Sequence, residues 1–130
     1  MLPGSAIVNL SSSSAKLATT TEAAVYAATK TTVLSITRSF AYALASIPVR
    51  VNAICPAIID TPMQDALLER LASLRGTTTE ELALVRNASV PLGRPAQPEE
   101  LAGYIWFMLS DEGSYITGQT LNYGGGYVTW

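Results

Sequence analysis

The sequence predicts an α/β fold in which three parallel strands form a sheet with flanking helices, in a doubly wound arrangement. Short apolar runs lie at residues 6–10, 49–55 and 116–122, and each has the length of a strand. Apolar residues between these runs recur at steps of three and four, as they do on helices. A strand, a helix and a strand within about fifty residues leave no room for a hairpin and indicate a right-handed parallel crossover. We therefore expect the sheet to be parallel and buried.

The first strand and one long helix account for residues 6–46. The run AIVNL at 6–10 is mostly apolar and leads into four serines, which indicates a buried strand followed by a polar turn. A helix is expected over 21–46, and Pro48 stops it. This helix has two apolar stripes, and we expect both to be covered. The first stripe contains Val25, Thr29, Val33, Ile36, Phe40, Leu44 and Ile47, and the second contains Ala27, Leu34, Ala41 and Ala45.

Proline, glycine and capping residues set the remaining boundaries. They predict a strand over 49–55 ending at Pro56 and a helix over 62–75 closed by Gly76. A shorter helix is expected from the capping box of Thr78 and Glu81 to about Ala88, followed by a rigid link over 91–98. Pro98 opens a last helix, and a strand over 116–122 precedes three glycines. The inner stripe of the last helix is expected to contain Leu101, Ile105, Met108 and Leu109.

Composition places the chain among compact proteins with a core. Of its 130 residues, 48% are hydrophobic and 14% are charged, which favours one domain over residues 1–130. The net charge is −2 and no cluster of Lys or Arg occurs, so nucleic-acid binding is disfavoured. The sequence contains neither an apolar run of about 18 residues nor the pattern of a signal peptide at its start. We therefore expect no membrane partner and a cytoplasmic location.

The chain has no histidine and a single cysteine, Cys55. These counts remove imidazole acid/base chemistry, nucleophile pairs that need histidine, and nearly all zinc sites, so we expect no metal. Because Cys55 lies in an apolar run, we expect a buried and inert thiol. Proton chemistry in this chain must come from Tyr, Lys, Asp or Glu.

One pair of such residues lies near the start of the long helix. In the stretch YAATK, Tyr26 and Lys30 are four residues apart and therefore share one face of the helix. Many helices have such a pair by chance, with the ring packed on apolar neighbours and the ammonium in water. The pair alone does not separate this interpretation from a catalytic one.

Five stretches in sequence order resemble the second half of a short-chain dehydrogenase/reductase. They are IVNLSS, YAATK, VRVNAICPAIIDTPM, PLGRPAQPEELAGYIWFMLSD and YITGQTLNYGGG, and the resemblance covers the chain from Ser5 to Gly126. The resemblance implies a partial Rossmann-like fold and hydride transfer between NAD or NADP and a small alcohol or ketone. The segment 61–93 is most similar to family members that act on polyols, acetoin or related small hydroxy compounds.

The resemblance also implies roles for individual residues. Tyr26 is implied as the catalytic acid/base. A free phenol has a pKa of about 10, so the Lys30 ammonium is implied to favour the phenolate and also to bind the nicotinamide ribose. Ser12 is implied to hold the substrate oxygen, although counting back from Tyr26 by the commonest family spacing gives Ser13. Ile59, through its backbone, and Thr61, through its hydroxyl, are implied to contact the nicotinamide amide.

The sequence departs from the family pattern in three ways. It contains no glycine-rich strand, turn and helix for the pyrophosphate and no catalytic Asn, so we expect a truncated chain with little activity by itself. We also expect an exposed edge strand and an exposed long helix, through which the chain aggregates or forms oligomers. Ala57 replaces a family Gly, and Gly124 replaces a family Asp. The alternative function is a non-catalytic remnant or interaction module. Binding of reduced cofactor discriminates the two hypotheses.

Overall fold

The computed structural model describes residues 2–18 and 21–130, so that Met1, Thr19 and Thr20 lie outside the described residues. In this part of the chain, three strands form one sheet in the order β1–β2–β3, and both pairings are parallel, as predicted. The strands are β1 (Ala6–Leu10), β2 (Arg50–Pro56) and β3 (Thr120–Tyr123). The central strand, β2, is therefore paired along both edges.

Four helices connect and follow the strands within the described residues. They are α1 (Ala24–Leu44), α2 (Pro62–Arg75), α3 (Thr79–Ala88) and α4 (Pro98–Leu109), with 3-10 turns at Ser13–Ala15, Thr21–Ala23 and Asp111–Gly113. Gly76 closes α2 in the left-handed conformation at φ 64°, and Thr78 and Glu81 form the predicted capping box of α3.

The core lies between α1 and one face of β2. Val51, Ala53 and Cys55 alternate along β2 and are at most 1% exposed. Leu34 packs on Ala53 and Cys55, and Ala41 packs on Val49 and Val51. The second, small-residue stripe of α1 is therefore the side that covers the sheet.

The opposite face of the sheet is covered by α4. Arg50 points to this side from β2, and its guanidinium donates hydrogen bonds to the carbonyls of Met108, Leu109 and Ser110 at the end of α4. Tyr104 of α4 stacks on Tyr123 of β3 with the ring centroids 5.3 Å apart. Helices on both faces of a parallel sheet make the architecture doubly wound.

Three expectations about burial were wrong. The first stripe of α1 is not covered, since Val25, Ile36 and Phe40 are 78%, 47% and 53% exposed. The strand β1 is half-buried rather than buried, because it pairs only with β2 among the described residues. In α4, Met108 is fully buried, but Leu109 is 40% exposed and does not belong to the inner stripe.

Element boundaries also differ from the predictions. The segment 21–46 contains a 3-10 turn before α1, which ends at Leu44, and β2 is shifted by one residue toward Pro56. The third strand begins at Thr120 rather than at 116. Asn52, fully buried, holds the preceding turn by donating to the Ile116 carbonyl and accepting from the Gln119 amide, which keeps this segment out of the sheet.

Candidate active site

The candidate residues gather at the carboxyl edge of the sheet. Ser11 to Ser14 directly follow β1, and the loop 57–61 directly follows β2. Because β1 and β2 are parallel neighbours, the two segments leave the sheet at the same edge, where open α/β sheets bind ligands. The first turns of α1 supply Tyr26 and Lys30.

Tyr26 and Lys30 lie together on one face of α1, as their spacing predicts. The Lys30 Nζ is 5.7 Å from the centroid of the Tyr26 ring, and the Tyr26 side chain is half exposed. This distance is within the range of a cation–π contact. The phenol is therefore open to a ligand while a cation lies beside its ring.

The position of Lys30 is fixed by the end of β1. Its Nζ donates a hydrogen bond to the Leu10 carbonyl at 3.2 Å. The Ser11 hydroxyl donates in the other direction, to the main-chain carbonyl of Lys30, at 2.8 Å. Two bonds of opposite direction thus hold this turn of α1 against the end of the strand.

The serine run divides into residues with different tasks. Ser11, Ser12 and Ser13 are all buried, with 6–8% exposure. The Ser11 hydroxyl is occupied as a donor to Lys30, as described above. The Ser12 hydroxyl accepts from the Ser14 amide at 3.1 Å and donates to none of the described residues. Its proton is therefore uncommitted, whereas the Ser13 hydroxyl has no side-chain hydrogen bond to hold it among the described residues.

Cys55 lies beneath the serines and is buried, as predicted. Burial raises the pKa of the Cys55 thiol, although the charge of Lys16 acts in the opposite direction. The thiol therefore remains protonated near neutral pH and forms part of the floor of the site.

In the loop after β2, the amides of Ile58, Ile59 and Thr61 have no hydrogen-bond partner among the described residues. Ala96 donates to the Ile58 carbonyl at 3.0 Å and accepts from the Asp60 amide at 2.8 Å, which makes an isolated parallel bridge opposite Ile59. In such a bridge the N–H of Ile59 points away from Ala96. This N–H donates to none of the described residues. The Thr61 hydroxyl lies 3.5 Å from the Ile59 carbonyl, at the limit of a hydrogen bond.

The structure brings some of the predicted residues together and leaves others apart. Tyr26 and Lys30 are in contact, and Ile59 and Thr61 are neighbours in one loop. Within the described ranges, neither loop residue forms a hydrogen bond with Ser12, Tyr26 or Lys30. The two groups therefore lie at the same edge of the sheet without a hydrogen bond between them.

Sequence reasoning missed two residues that support the site. Ser11 was not distinguished from the other serines of the run, and the Lys16 Nζ donates to the Thr120 carbonyl at 2.7 Å, which joins the turn after β1 to β3. An alternating pattern could have placed Ser11 at the strand end, but no local signal connects Lys16 to a residue more than a hundred positions away.

Two negative findings concern the described residues only. No group of three or more His, Cys, Asp or Glu side chains in residues 2–18 and 21–130 is arranged to hold a metal ion. None of the helices in this part of the chain combines the length and apolar character that crossing a bilayer requires.

The sequence and the fold both match known proteins. The profile of the family described as enoyl-(acyl carrier protein) reductase matches residues 1–128. The chain is 44% identical over 103 residues to the 3-oxoacyl-(acyl-carrier-protein) reductase FabG of Thermotoga maritima, covering 79% of this chain and 37% of that protein.

Two solved structures have the same fold over nearly the whole chain. Sorbitol-6-phosphate 2-dehydrogenase SrlD from Erwinia amylovora has a TM-score of 0.91 at 29% identity, covering 98% of this chain and 50% of that one. A variant of actinorhodin polyketide ketoreductase with NADPH has a TM-score of 0.90 at 33% identity, covering 98% and 49%. The chain thus spans half or less of the length of these relatives. The profile match and the shared fold show that the chain belongs to the short-chain dehydrogenase/reductase family.

Proposed function

We propose that the chain forms the nicotinamide side of an NAD(P)-dependent oxidoreductase site that acts on a small alcohol or ketone. The observation that carries this proposal is the Lys30 ammonium 5.7 Å from the ring of a half-exposed Tyr26, with Lys30 itself anchored to the Leu10 carbonyl. The half-exposed phenol can reach a substrate oxygen, and the anchored cation lies over the face of its ring. Tyr26 is therefore suited to exchange a proton with a substrate oxygen.

Ser12 is the second residue of the proposed chemistry. Its oxygen is oriented by the Ser14 amide, and its proton remains available to a substrate oxygen. A donor fixed in this way stabilises charge on the oxygen without reorganising during the reaction. Ser13 lacks such a hydrogen bond among the described residues, which favours Ser12 as the active serine.

The loop after β2 fits a nicotinamide carboxamide. The Ile59 N–H has no acceptor among the described residues, and the weakly held Thr61 hydroxyl both donates and accepts, which complements the oxygen and nitrogen of a carboxamide. When bound, the nicotinamide supplies or accepts the hydride. Lys30 lies at the same edge of the sheet, and its remaining N–H groups suit the ribose hydroxyls. Either NAD or NADP is compatible with these contacts.

The substrate class belongs to the same proposal. Two of the relatives are named as reductases of acyl chains or polyketides, and the third as the dehydrogenase of a phosphorylated polyol. A small carbonyl compound and its alcohol satisfy the proton chemistry of Tyr26 and Ser12, and polyol or acetoin-like compounds remain the proposed members of that class. Because the chain spans 37% to 50% of these relatives, we expect little turnover from the 130 residues alone.

Cofactor binding tests the proposal directly. NADH, NADPH and reduced nicotinamide mononucleotide, which lacks adenosine, are titrated against the chain and followed by nicotinamide fluorescence and by the amide resonance of Ile59. All three ligands are expected to bind in the millimolar range or tighter and to shift this resonance. No binding at millimolar concentration would contradict the proposal and favour the non-catalytic alternative.

Matched variants then test the residue roles. Tyr26→Phe keeps the ring and removes the acid, so binding is expected to stay within about twofold while any measurable turnover falls by about 10² to 10⁴. Tyr42→Phe is the control, since Tyr42 is a 90% exposed tyrosine on the same helix. Ser12→Ala is expected to lower turnover more than Ser13→Ala, and the reverse order would assign the role to Ser13.

The uncovered stripe of α1 favours a second function, self-association. Val25, Ile36 and Phe40 are exposed, and β1 has one edge with no partner among the described residues. Sedimentation of wild type and Phe40→Glu tests this function, with Thr32→Glu as the control on the same helix. The Phe40 change is expected to dissociate a homo-oligomer, and a monomeric wild type would exclude it.

A further inference from the structure

The glycine after β3 contacts the loop that follows β2. The Ala57 amide donates to the Tyr123 carbonyl at 3.0 Å, so that Ala57 and Gly124 lie side by side just beyond the sheet. A Cβ added to Gly124 would lie 2.8 Å from the Cβ of Ala57. Carbon atoms separate to about 3.5–4.0 Å at van der Waals contact, so the two methyl groups cannot coexist in this geometry.

The backbone does not require glycine at this position. Gly125 and Gly126 adopt positive φ values of 57° and 89°, which disfavour other residues, but Gly124 does not have a positive φ. The contact with Ala57 is therefore the feature that requires glycine at 124. The resemblance in sequence implied a departure from the family pattern at each of these two positions, and the structure places the two residues against each other.

The contact between Ala57 and Gly124 is one of several backbone contacts around the loop 57–61. Gly125 accepts from the Leu92 amide at 3.2 Å, and Ala96 at the end of the same link pairs with Ile58 and Asp60. The cleft enclosed by these segments has a volume of about 320 Å³ and includes neither Tyr26 nor Lys30. The cleft therefore borders the loop at Ile58, and Ser12, Tyr26 and Lys30 are not among its lining residues.

We propose that Gly124 is a positioning residue for the loop 57–61, acting through the methyl group of Ala57. The missing side chain at 124 leaves the space that the Ala57 methyl fills, and this fit sets the direction of the Ile59 N–H. This inference rests on the proposed function in so far as the Ile59 N–H binds nicotinamide. The coupling between residues 57 and 124 can be measured without any cofactor.

A double-mutant cycle tests the coupling. In Gly124→Ala the added methyl displaces Ala57, so the amide resonances of Ile59 and Asp60 are expected to shift and the melting temperature to fall by about 5 °C. Adding Ala57→Gly removes the clash, and the resonances are expected to return toward their wild-type positions. Gly103→Ala is the control, because a Cβ at that helical glycine meets no atom within 4 Å.

Cofactor affinity then tests the positioning role. The Kd for reduced nicotinamide mononucleotide is expected to rise about tenfold in Gly124→Ala and to recover to within about twofold in Ala57→Gly/Gly124→Ala. Additive changes, or resonance shifts confined to residues next to 124, would overturn the proposal. If Gly124→Ala does not fold, a folded double variant supports the coupling and an unfolded one overturns it. If wild type does not bind the nucleotide, the proposed function fails, while the resonance cycle still decides the coupling.

Discussion

The Ser11 hydroxyl donates a 2.8 Å hydrogen bond to the main-chain carbonyl of Lys30. Lys30 returns a bond from its Nζ to the Leu10 carbonyl at 3.2 Å, so the end of β1 and the second turn of α1 hold each other. The Lys30 Nζ also lies 5.7 Å from the ring centroid of the candidate acid/base Tyr26. A strand end and a helix face that are far apart in sequence thus fix one another at the site.

Ser11→Ala is expected to lower the free energy of unfolding by about 1 kcal/mol, the usual net value of such a bond. Urea denaturation measures this change. Loss of the bond also frees the turn that contains Lys30, so cofactor binding is expected to weaken. Thr32→Ala is the control, since its hydroxyl bonds only to the Ala28 carbonyl within the same helix. Equal effects of the two variants would contradict a special role for Ser11.

Arg50 caps the carboxyl end of α4 across the sheet. Its guanidinium donates to the carbonyls of Met108, Leu109 and Ser110 at 2.7–3.1 Å, where the helix dipole also favours a cation. Arg50→Ala is expected to lower the free energy of unfolding by about 2–3 kcal/mol, because charge-assisted bonds are lost at an otherwise unpaired helix end.

Two further variants separate the charge of Arg50 from its geometry. Lysine keeps the charge but cannot donate to three carbonyls from a planar fork, so Arg50→Lys is expected to recover about half of the loss. Arg38→Ala, at an exposed position of α1, is expected to change stability by less than about 0.5 kcal/mol. Denaturant unfolding measures all three, and full recovery by lysine would show that charge alone is responsible.

The pair of Arg94 and Glu100 predicts an acid-dependent stability. Both carboxylate oxygens of Glu100 accept from Arg94 at 2.8 Å, and one also accepts from the Gln97 amide at 2.7 Å. The Arg94 hydrogen bonds, followed by the bond from Gln97, lower the pKa of Glu100 from 4.5 to about 2. A lowered pKa means that the folded state binds this proton less readily than the unfolded chain does.

The resulting stabilisation is present above about pH 4.5 and is lost as the pH falls toward about 2. We therefore expect Glu100→Gln to melt below wild type at pH 7, with the difference shrinking between pH 4.5 and 2. Thermal unfolding followed by circular dichroism across this range measures the effect. Glu99→Gln is the control, which tests whether any acid in the first turn of α4 gives the same stabilisation. A difference between Glu100→Gln and wild type that does not change with pH would refute the role of the ion pair.

The sequence predicted the elements that depend on local signals. The AIVNL run of β1, the glycine that closes α2 and the capping box of α3 all lie where periodicity and capping chemistry placed them. The i and i+4 spacing also brought Tyr26 and Lys30 onto one face. These features depend on residues within one or two turns of each other.

Features that depend on distant contacts were not predictable. The start of β3 was placed four residues too early because the side chain of Asn52, 64 residues upstream, holds the Ile116 carbonyl outside the sheet. Periodicity alone predicted that the first stripe of α1 is covered, because an apolar stripe indicates burial but does not name the partner. The exposure of this helix was expected only from the comparison with the family pattern. The contact between Ala57 and Gly124 likewise requires the strand order, which the sequence did not establish.

The last prediction concerns the reactivity of the Cys55 thiol, which reports how tightly β2 is packed beneath the candidate site. Its thiol is 1% exposed, and burial raises its pKa, so both access and the thiolate form needed for reaction are restricted. We expect the native chain to react with a disulfide reagent about a thousandfold more slowly than the chain in urea, at a rate set by opening of β2. The increase in absorbance from the released thiolate measures both rates.

Ser11→Ala, which loosens the strand end above the thiol, is expected to speed the native reaction, while Thr32→Ala is not. A native rate equal to that in urea would show that β2 is not packed between α1 and α4, and the positions of Ser12 and Lys30 that depend on this packing would have to be revised.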